Sequence, residues 1–318
     1  MAQFAWISPA LTWLGGLTAF AVTVQVLDIA FAYLRPSQIN RYQHTKNGKP
    51  AWALVTGASD GIGKALSSEL AARGFNVVLH GRNPQKLEGV QKELQAAHPT
   101  RQFRALVADA KNTAPDVFKD IATRLADLHL TVLVNNVGGL VIHDQNVYKP
   151  VEAYSHQEIA ETMAINAVFP TMLMAALIPA MARGGPALII NIGSMADQGL
   201  PLISIYGATK SYLKTVSEAM QLDMEIKGHD VQMLYVPPGA VTGVSHHSSP
   251  PTLLVPDSPT FAKAVLARVG CGKTSIIPYW AHALQGYSAA PLPVWMKDIF
   301  FKKVVQEMAA DRAKPHQD

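Results

Sequence analysis

The sequence predicts the α/β class: a doubly wound parallel sheet behind an N-terminal transmembrane helix and ahead of a C-terminal helical extension. Three observations carry this expectation. Residues 1 to 27 contain no Lys, Arg, Asp or Glu. From residue 51 onward, short apolar runs alternate with amphipathic stretches of helical period. The first of these runs leads straight into a glycine-rich turn, Gly57 to Gly63. The single cysteine, Cys271, excludes a disulfide scaffold and a Cys-based zinc ribbon. A hydrophobic share of 49% with a net charge of only +4 excludes a disordered chain. Lys and Arg are scattered, with no basic run among aromatics, so no nucleic-acid surface is expected. No metal site is expected either.

Between Phe4 and Leu34 the only ionisable acid or base is Asp28, and the remaining residues form a nearly continuous apolar run long enough to span a bilayer. A cleavable signal peptide would carry a basic leader and a shorter apolar core, so residues 1–35 read as an uncleaved anchor. The alternative is a helix packed on a soluble core, with Gln25 and Asp28 marking its polar side. Arg35, Arg41, Lys46 and Lys49 make 36–50 a basic linker, which places the rest of the chain on the cytosolic side. The absence of Asn-X-Ser/Thr agrees with that orientation.

Residues 51–56 (AWALVT) read as a buried strand, 57–63 as a tight turn, 64–74 as a helix ended by glycine, and 76–80 (NVVLH) as a second strand. This βαβ unit implies a parallel sheet of Rossmann type. Its glycines let backbone N–H groups and a helix dipole meet a pyrophosphate.

The spacing is T-G-x-x-x-G-x-G, and it resembles the short-chain dehydrogenase/reductase superfamily. The chain follows that pattern further, with Asn135-Asn136-Val137-Gly138 after an expected strand at 131–134 and Val137 as the departure. Asn166, Ser194, Tyr206 and Lys210 match the superfamily's catalytic residues, and Pro238-Gly239 with Thr242 match its segment after an expected strand at 231–236. The resemblance implies cofactor contacts from Gly57, Ser59, Asp60, Gly61, Ile62, Gly63, Asn136, Tyr206, Lys210, Pro238, Gly239 and Thr242. It makes 51–275 the NADP-binding catalytic domain. Within the superfamily, Thr56 to Lys64 with Asp60, the N-terminal anchor and the stretch from Phe261 to Leu284 resemble the membrane-bound very-long-chain 3-oxoacyl-CoA reductase and 17β-hydroxysteroid dehydrogenase branch.

The end of the second strand, His80-Gly81-Arg82-Asn83, carries no acid for a ribose hydroxyl, and Arg82 can pair with a 2′-phosphate. The expected cofactor is therefore NADPH, with Lys64 as a second cation nearby. Asp109, after an expected strand at 105–108, stands where the family's acid approaches the adenine; it reads equally as a turn cap. Tyr206 and Lys210 are four apart, hence on one helix face, and an ammonium near a phenol lowers its pKa towards a useful range. Tyr206 is then the proton donor to a carbonyl, Ser194 its orienting partner, and Lys210 a ligand of the nicotinamide ribose. Asn166 supports a water beside Lys210, as the resemblance implies.

Gly270-Cys271-Gly272-Lys273-Thr274 ends like a phosphate loop, but its first glycine would fall at Ala267, and helix rather than strand precedes it. His246-His247 stand in a Ser/Pro-rich loop, 243–259, expected to cover substrate rather than bind metal. Met163, Met172, Met174 and Met181 read as core or subunit-interface packing. Residues 276–318 form an amphipathic extension or lid; 276–303 suits a membrane interface or an acyl-groove roof, with packing on the core as the alternative. The tail lacks a dilysine ending. The resemblance implies reduction of a lipophilic ketone in the endoplasmic reticulum membrane, foremost a long-chain 3-oxoacyl-CoA in fatty-acid elongation. The alternatives are a 17-ketosteroid or specialised-metabolite ketone and, outside enzymes, a membrane-tethered NADPH-binding scaffold. A homodimer is implied by the same resemblance, with a monomer the alternative for an anchored member.

Overall fold

The computed structural model describes residues 7–144, 146–244, 249–289 and 292–313. His246 and His247 lie outside the described residues. In chain order, α1 (Ile7–Leu34) precedes β1 (Ala51–Thr56), α2 (Gly61–Ala72), β2 (Asn76–Gly81), α3 (Pro84–Ala97), β3 (Phe103–Val107), α4 (Pro115–Arg124) and β4 (His129–Asn135). Then follow α5 (His156–Met163), a π turn (Ala164–Val168), α6 (Phe169–Gly184), β5 (Ala187–Ile192), α7 (Ser204–Ile226), β6 (Val231–Val236), α8 (Ser258–Ala267), α9 (Trp280–Ala289) and α10 (Val294–Ala313). All strand pairings are parallel, in the order β3-β2-β1-β4-β5-β6.

Helices cover both faces, so β1, β2, β4 and β5 are buried along their whole length, and their sequences run apolar without alternation. One face packs Val55, Leu79 and Val134 against Leu66, Leu70 and Phe261 of α2 and α8. The other packs Leu54, Leu133 and Met233 against Phe118, Phe169 and Leu173. Met174 and Met181 belong to this second core, whereas Met163 is exposed and Met172 half-buried. Strand order reverses between β1 and β4, and the loops beyond their C-terminal ends form the crevice where ligands of such sheets bind.

Along α1, Leu11, Trp13, Leu14, Leu17, Phe20 and Leu27 are all mostly exposed, and Thr18 and Thr23 return their hydroxyls to the carbonyls of Leu14 and Ala19, both at 2.8 Å. A helix apolar all round that satisfies its hydroxyls internally is compatible with membrane anchoring. Its C-terminal end is seated on the domain. Tyr33 donates to the Ile277 carbonyl, Arg268 reaches Ala32 O at 3.3 Å, and Lys273 pairs with Asp28. Gly270 and Gly272, at φ +79° and +83°, form this seat; a Cβ on Gly270 would lie 2.6 Å from Gln38. The segment that ends like a phosphate loop thus holds the end of α1.

Residues 36–50 are fixed as well: Ile39 and Tyr42 are buried, Tyr42 donates to Gln232 at 2.5 Å, and Arg41 pairs with Asp230 at 2.6 Å. In the C-terminal extension Tyr279, Ala281, His282 and Val305 are buried, while Trp280, Leu284, Trp295 and Ile299 are exposed. Those four side chains do not join the core.

Candidate active site

At the end of β1 the chain turns through Gly57, φ +66°, and Gly61, φ +53°. Gly63 has no room for a side chain, since a Cβ there would lie 2.2 Å from Gly57 O and 2.5 Å from Asn136 Nδ2. Asn136 donates through Nδ2 to Thr56 O at 3.0 Å, and the Thr56 hydroxyl accepts the Asn136 and Val137 N–H groups at 2.9 and 3.0 Å. These bonds lock the ends of β1 and β4 together beneath the turn. Asp60 caps α2 by accepting the Gly61 N–H at 2.7 Å, and Ile62 and Gly63 fall in the first helical turn, whose N–H groups have no intrahelical acceptors. Ser59 lies beside Gly81, and exposed Arg82 follows at the end of β2. Lys64, expected near the same phosphate, instead pairs with Glu93 at 2.7 Å. Asp109 accepts the Lys111 N–H at 3.0 Å, the turn-capping alternative.

The other expected residues converge at the C-terminal edge of β4 and β5. Asn166 sits in the π turn, which interrupts what would otherwise be one α-helix from 156 to 184 and turns its carboxamide onto the β4 loop. There its Oδ1 accepts the Gly139 N–H at 3.0 Å and its Nδ2 donates to Gly139 O at 2.7 Å. Lys210, buried, donates to Ile192 O at 3.0 Å, and its Nζ lies 5.7 Å from the Tyr206 ring centre. Gly138 stands between them, because a Cβ there would lie 2.6 Å from Asn166 Oδ1 and 3.0 Å from Lys210 Nζ. Ser194 stands close enough to the Tyr206 hydroxyl to favour its ionised form. Its Oγ also accepts the Ala196 N–H at 3.1 Å, which fixes the turn after β5.

The electrostatics differ from the expectation in one respect. Burial raises the Tyr206 pKa, the neighbouring Ser194 hydroxyl acts in the opposite sense, and Lys210 does not lower it here. The ammonium is directed at the Ile192 carbonyl, and burial instead brings its own pKa down to about 8.

Sequence reasoning missed Tyr235, Asp197 and His282. The buried Tyr235 hydroxyl lies 2.9 Å from Asp197 Oδ2 and 3.2 Å from Lys210 O as donor, and accepts the Ser194 N–H at 3.4 Å. One side chain of β6 thereby ties the Ser194 turn to α7. Gly193 exists for it, since a Cβ there would lie 2.1 Å from the Tyr235 ring. Burial raises the Asp197 pKa. His282, on α9, accepts the Gly239 N–H at 3.2 Å, joining the C-terminal extension to the loop that carries Pro238 and Gly239. Thr242 in that loop donates to Ser249 O. A tyrosine inside an apolar strand was the one available signal, because a buried hydroxyl needs partners.

The sequence pattern described as short chain dehydrogenase matches residues 51–251. The chain belongs to this family of oxidoreductases. The very-long-chain 3-oxoacyl-CoA reductase let-767 of Caenorhabditis briggsae is 32% identical over 286 residues, 89% of each chain. A Caenorhabditis elegans relative with a provisional steroid dehydrogenase name is 32% identical over 259 residues, 81% of each chain. Among solved structures, a metagenomic short-chain oxidoreductase in complex with NADP aligns with TM-score 0.59 and 27% identity, covering 71% of this chain and 96% of that one.

Proposed function

We propose that this protein is an NADPH-dependent reductase of long-chain 3-oxoacyl-CoA, held by α1 in the endoplasmic reticulum membrane with its catalytic domain, residues 51–275, in the cytosol. The observation that carries the reading is the meeting of Asn166 and Lys210 at Gly138, with the Tyr206 ring centre 5.7 Å from the Lys210 ammonium and Ser194 beside Tyr206, next to a glycine turn with no space for a side chain at Gly63. The residues fit a phosphorylated dinucleotide: the turn offers unpaired helix N–H groups to a pyrophosphate, and Arg82 offers a planar cation to a 2′-phosphate. When bound there, NADPH supplies hydride to the carbonyl carbon.

The chain's own residues do the remaining work. Ser194 donates to the carbonyl oxygen and holds it beside Tyr206. Tyr206 delivers a proton from its hydroxyl to that oxygen as the alcohol forms. Lys210 binds the nicotinamide ribose, and Asn166 keeps Gly138 and Gly139 close to it. The mostly exposed apolar α1 and the exposed Trp280, Leu284, Trp295 and Ile299 support a lipophilic substrate met at a membrane. The reductase relative supports the acyl-CoA class, and the steroid-named relative supports a second reading, a 17-ketosteroid.

The test is NADPH oxidation by the detergent-solubilised full chain, offered a long-chain 3-oxoacyl-CoA or a 17-ketosteroid, with Tyr206→Phe as blank. Turnover of the acyl-CoA is expected. Turnover of the steroid alone moves the protein to the second reading.

A further inference from the structure

Glu158 and Thr162 on α5 and Asn166 in the π turn stand four residues apart, and all three are buried. Each accepts a backbone N–H from the segment leaving β4. Gly139 N donates to Asn166 Oδ1 at 3.0 Å, Val141 N to Thr162 Oγ1 at 3.2 Å, and His143 N to Glu158 Oε1 at 2.9 Å. The match has a metric basis. Four helical residues rise about 6 Å and two extended residues span about 6.6 Å, so alternate N–H groups of an extended segment meet every fourth helix residue running the other way. Among the described residues no strand pairs with the segment at this point, and this ladder supplies acceptors to its half-buried and exposed N–H groups.

The lowest rung reaches further. Glu158 also accepts the Ser155 N–H at 2.8 Å and both contacts of the Lys149 ammonium, at 2.9 and 3.1 Å. Lys149 is 1% exposed and bonds Asp144 at 2.9 Å as well. The His143 N–H first, then the Ser155 N–H and the ammonium, hold the Glu158 pKa down to about 2, so the carboxylate is charged at any working pH. From the same place Lys149 N donates to Leu202 O at 2.9 Å, and the Tyr154 hydroxyl donates to that carbonyl at 3.1 Å. Leu202 has φ +60°, a left-handed conformation that brings the Cβ of an L-residue too close to the following carbonyl oxygen. It belongs to the turn between Ser194 and Tyr206.

We infer that the buried Glu158–Lys149 pair is a positioning clamp that sets both walls of the cleft. Through Thr162 and the ladder it fixes the wall that presses Gly138 against Asn166 and Lys210. Through Lys149 and Tyr154 it holds Leu202 in its strained form, and with it the turn that aims the carbonyl group at Ser194 and Tyr206. The inference rests on the reductase reading of that site. Glu158, Lys149, Thr162 and Tyr154 touch no reacting atom and act through the backbone they hold.

The experiment uses the full chain in detergent and the better carbonyl substrate of the wild type. Thr162→Val removes the middle rung at nearly constant volume, and Tyr154→Phe removes one of the two bonds to Leu202. Both are expected to lower kcat by about tenfold while the NADPH dissociation constant changes less than about twofold. Leu202→Gly in the Tyr154→Phe background should recover most of kcat, because glycine takes the left-handed conformation unaided. Equal losses of kcat and NADPH affinity, no loss in either variant, or no rescue by glycine would overturn the clamp. If the wild type reduces neither substrate, the reductase reading fails by itself, and amide hydrogen exchange then decides the clamp. Protection at Gly139, Val141, His143 and Lys149 lost together in Glu158→Gln supports it; protection unchanged overturns it.

Discussion

Lys210 is the residue on which the chemistry turns most sharply. Burial has moved its pKa from 10.5 to about 8, so it is charged below pH 8 and neutral above. Its two pH effects carry opposite signs. The unfolded chain binds this proton more tightly between pH 8 and 10.5, so the group's contribution to stability improves as pH rises through that window. Capture of an anionic cofactor needs the cation, so kcat/KM for NADPH, which reports the free enzyme, should fall as pH rises through about 8. Lys210→Met should abolish that limb. Tyr235 makes a second prediction: Tyr235→Phe leaves the half-buried Asp197 carboxyl without that partner, and should cost about 1 kcal/mol in unfolding experiments and lower kcat with NADPH binding retained. Tyr206, Lys210, Ser194 and Asn166 were legible because each stands in a recurring local string. Tyr235 was not, because its partners lie 25 to 41 residues away; nor were Glu158 and Lys149, nine residues apart across a loop with no regular spacing, so that only the fold shows them paired.

The element that bears most on cofactor capture is the turn before α2. A methyl group at Gly63 would meet a backbone carbonyl and the Asn136 amide, neither of which can swing aside, so the strand-turn-helix unit must open. Gly63→Ala should weaken NADPH binding at least about tenfold, read by titration of the cofactor's fluorescence, while far-ultraviolet circular dichroism stays unchanged. The expected strands were readable as apolar runs because both sheet faces are covered, and their ends were off by at most two residues: 105–108 was expected where Phe103–Val107 formed. The π turn at Ala164–Val168 was not readable, because nothing in AINAV breaks a helix. The extra residue per turn answers the loop it must bond, a contact made in three dimensions.

Over the whole molecule, α1 and the domain are coupled more tightly than the basic composition of 36–50 suggested. Ile39 and Tyr42 fasten that segment into the core, and the Asp28–Lys273 pair holds the end of α1 beside the seat built by Gly270 and Gly272. The seat was in view in the sequence as a glycine pair ahead of a lysine, but its task depends on residues more than two hundred positions earlier. The His282 bond to Gly239 likewise makes the C-terminal extension part of the loop beside the site. The proposed reaction is hydride transfer from NADPH to a long-chain 3-oxoacyl-CoA, with Tyr206 delivering the proton. It is tested most directly by single-turnover reaction of the membrane-reconstituted full chain with NADPH deuterated on its reactive carbon. The account predicts one deuterium on the new carbinol carbon of the 3-hydroxyacyl product, and none with Tyr206→Phe although NADPH still binds. Bound NADPH with no deuterium transferred by the wild type, or equal transfer by Tyr206→Phe, would contradict it.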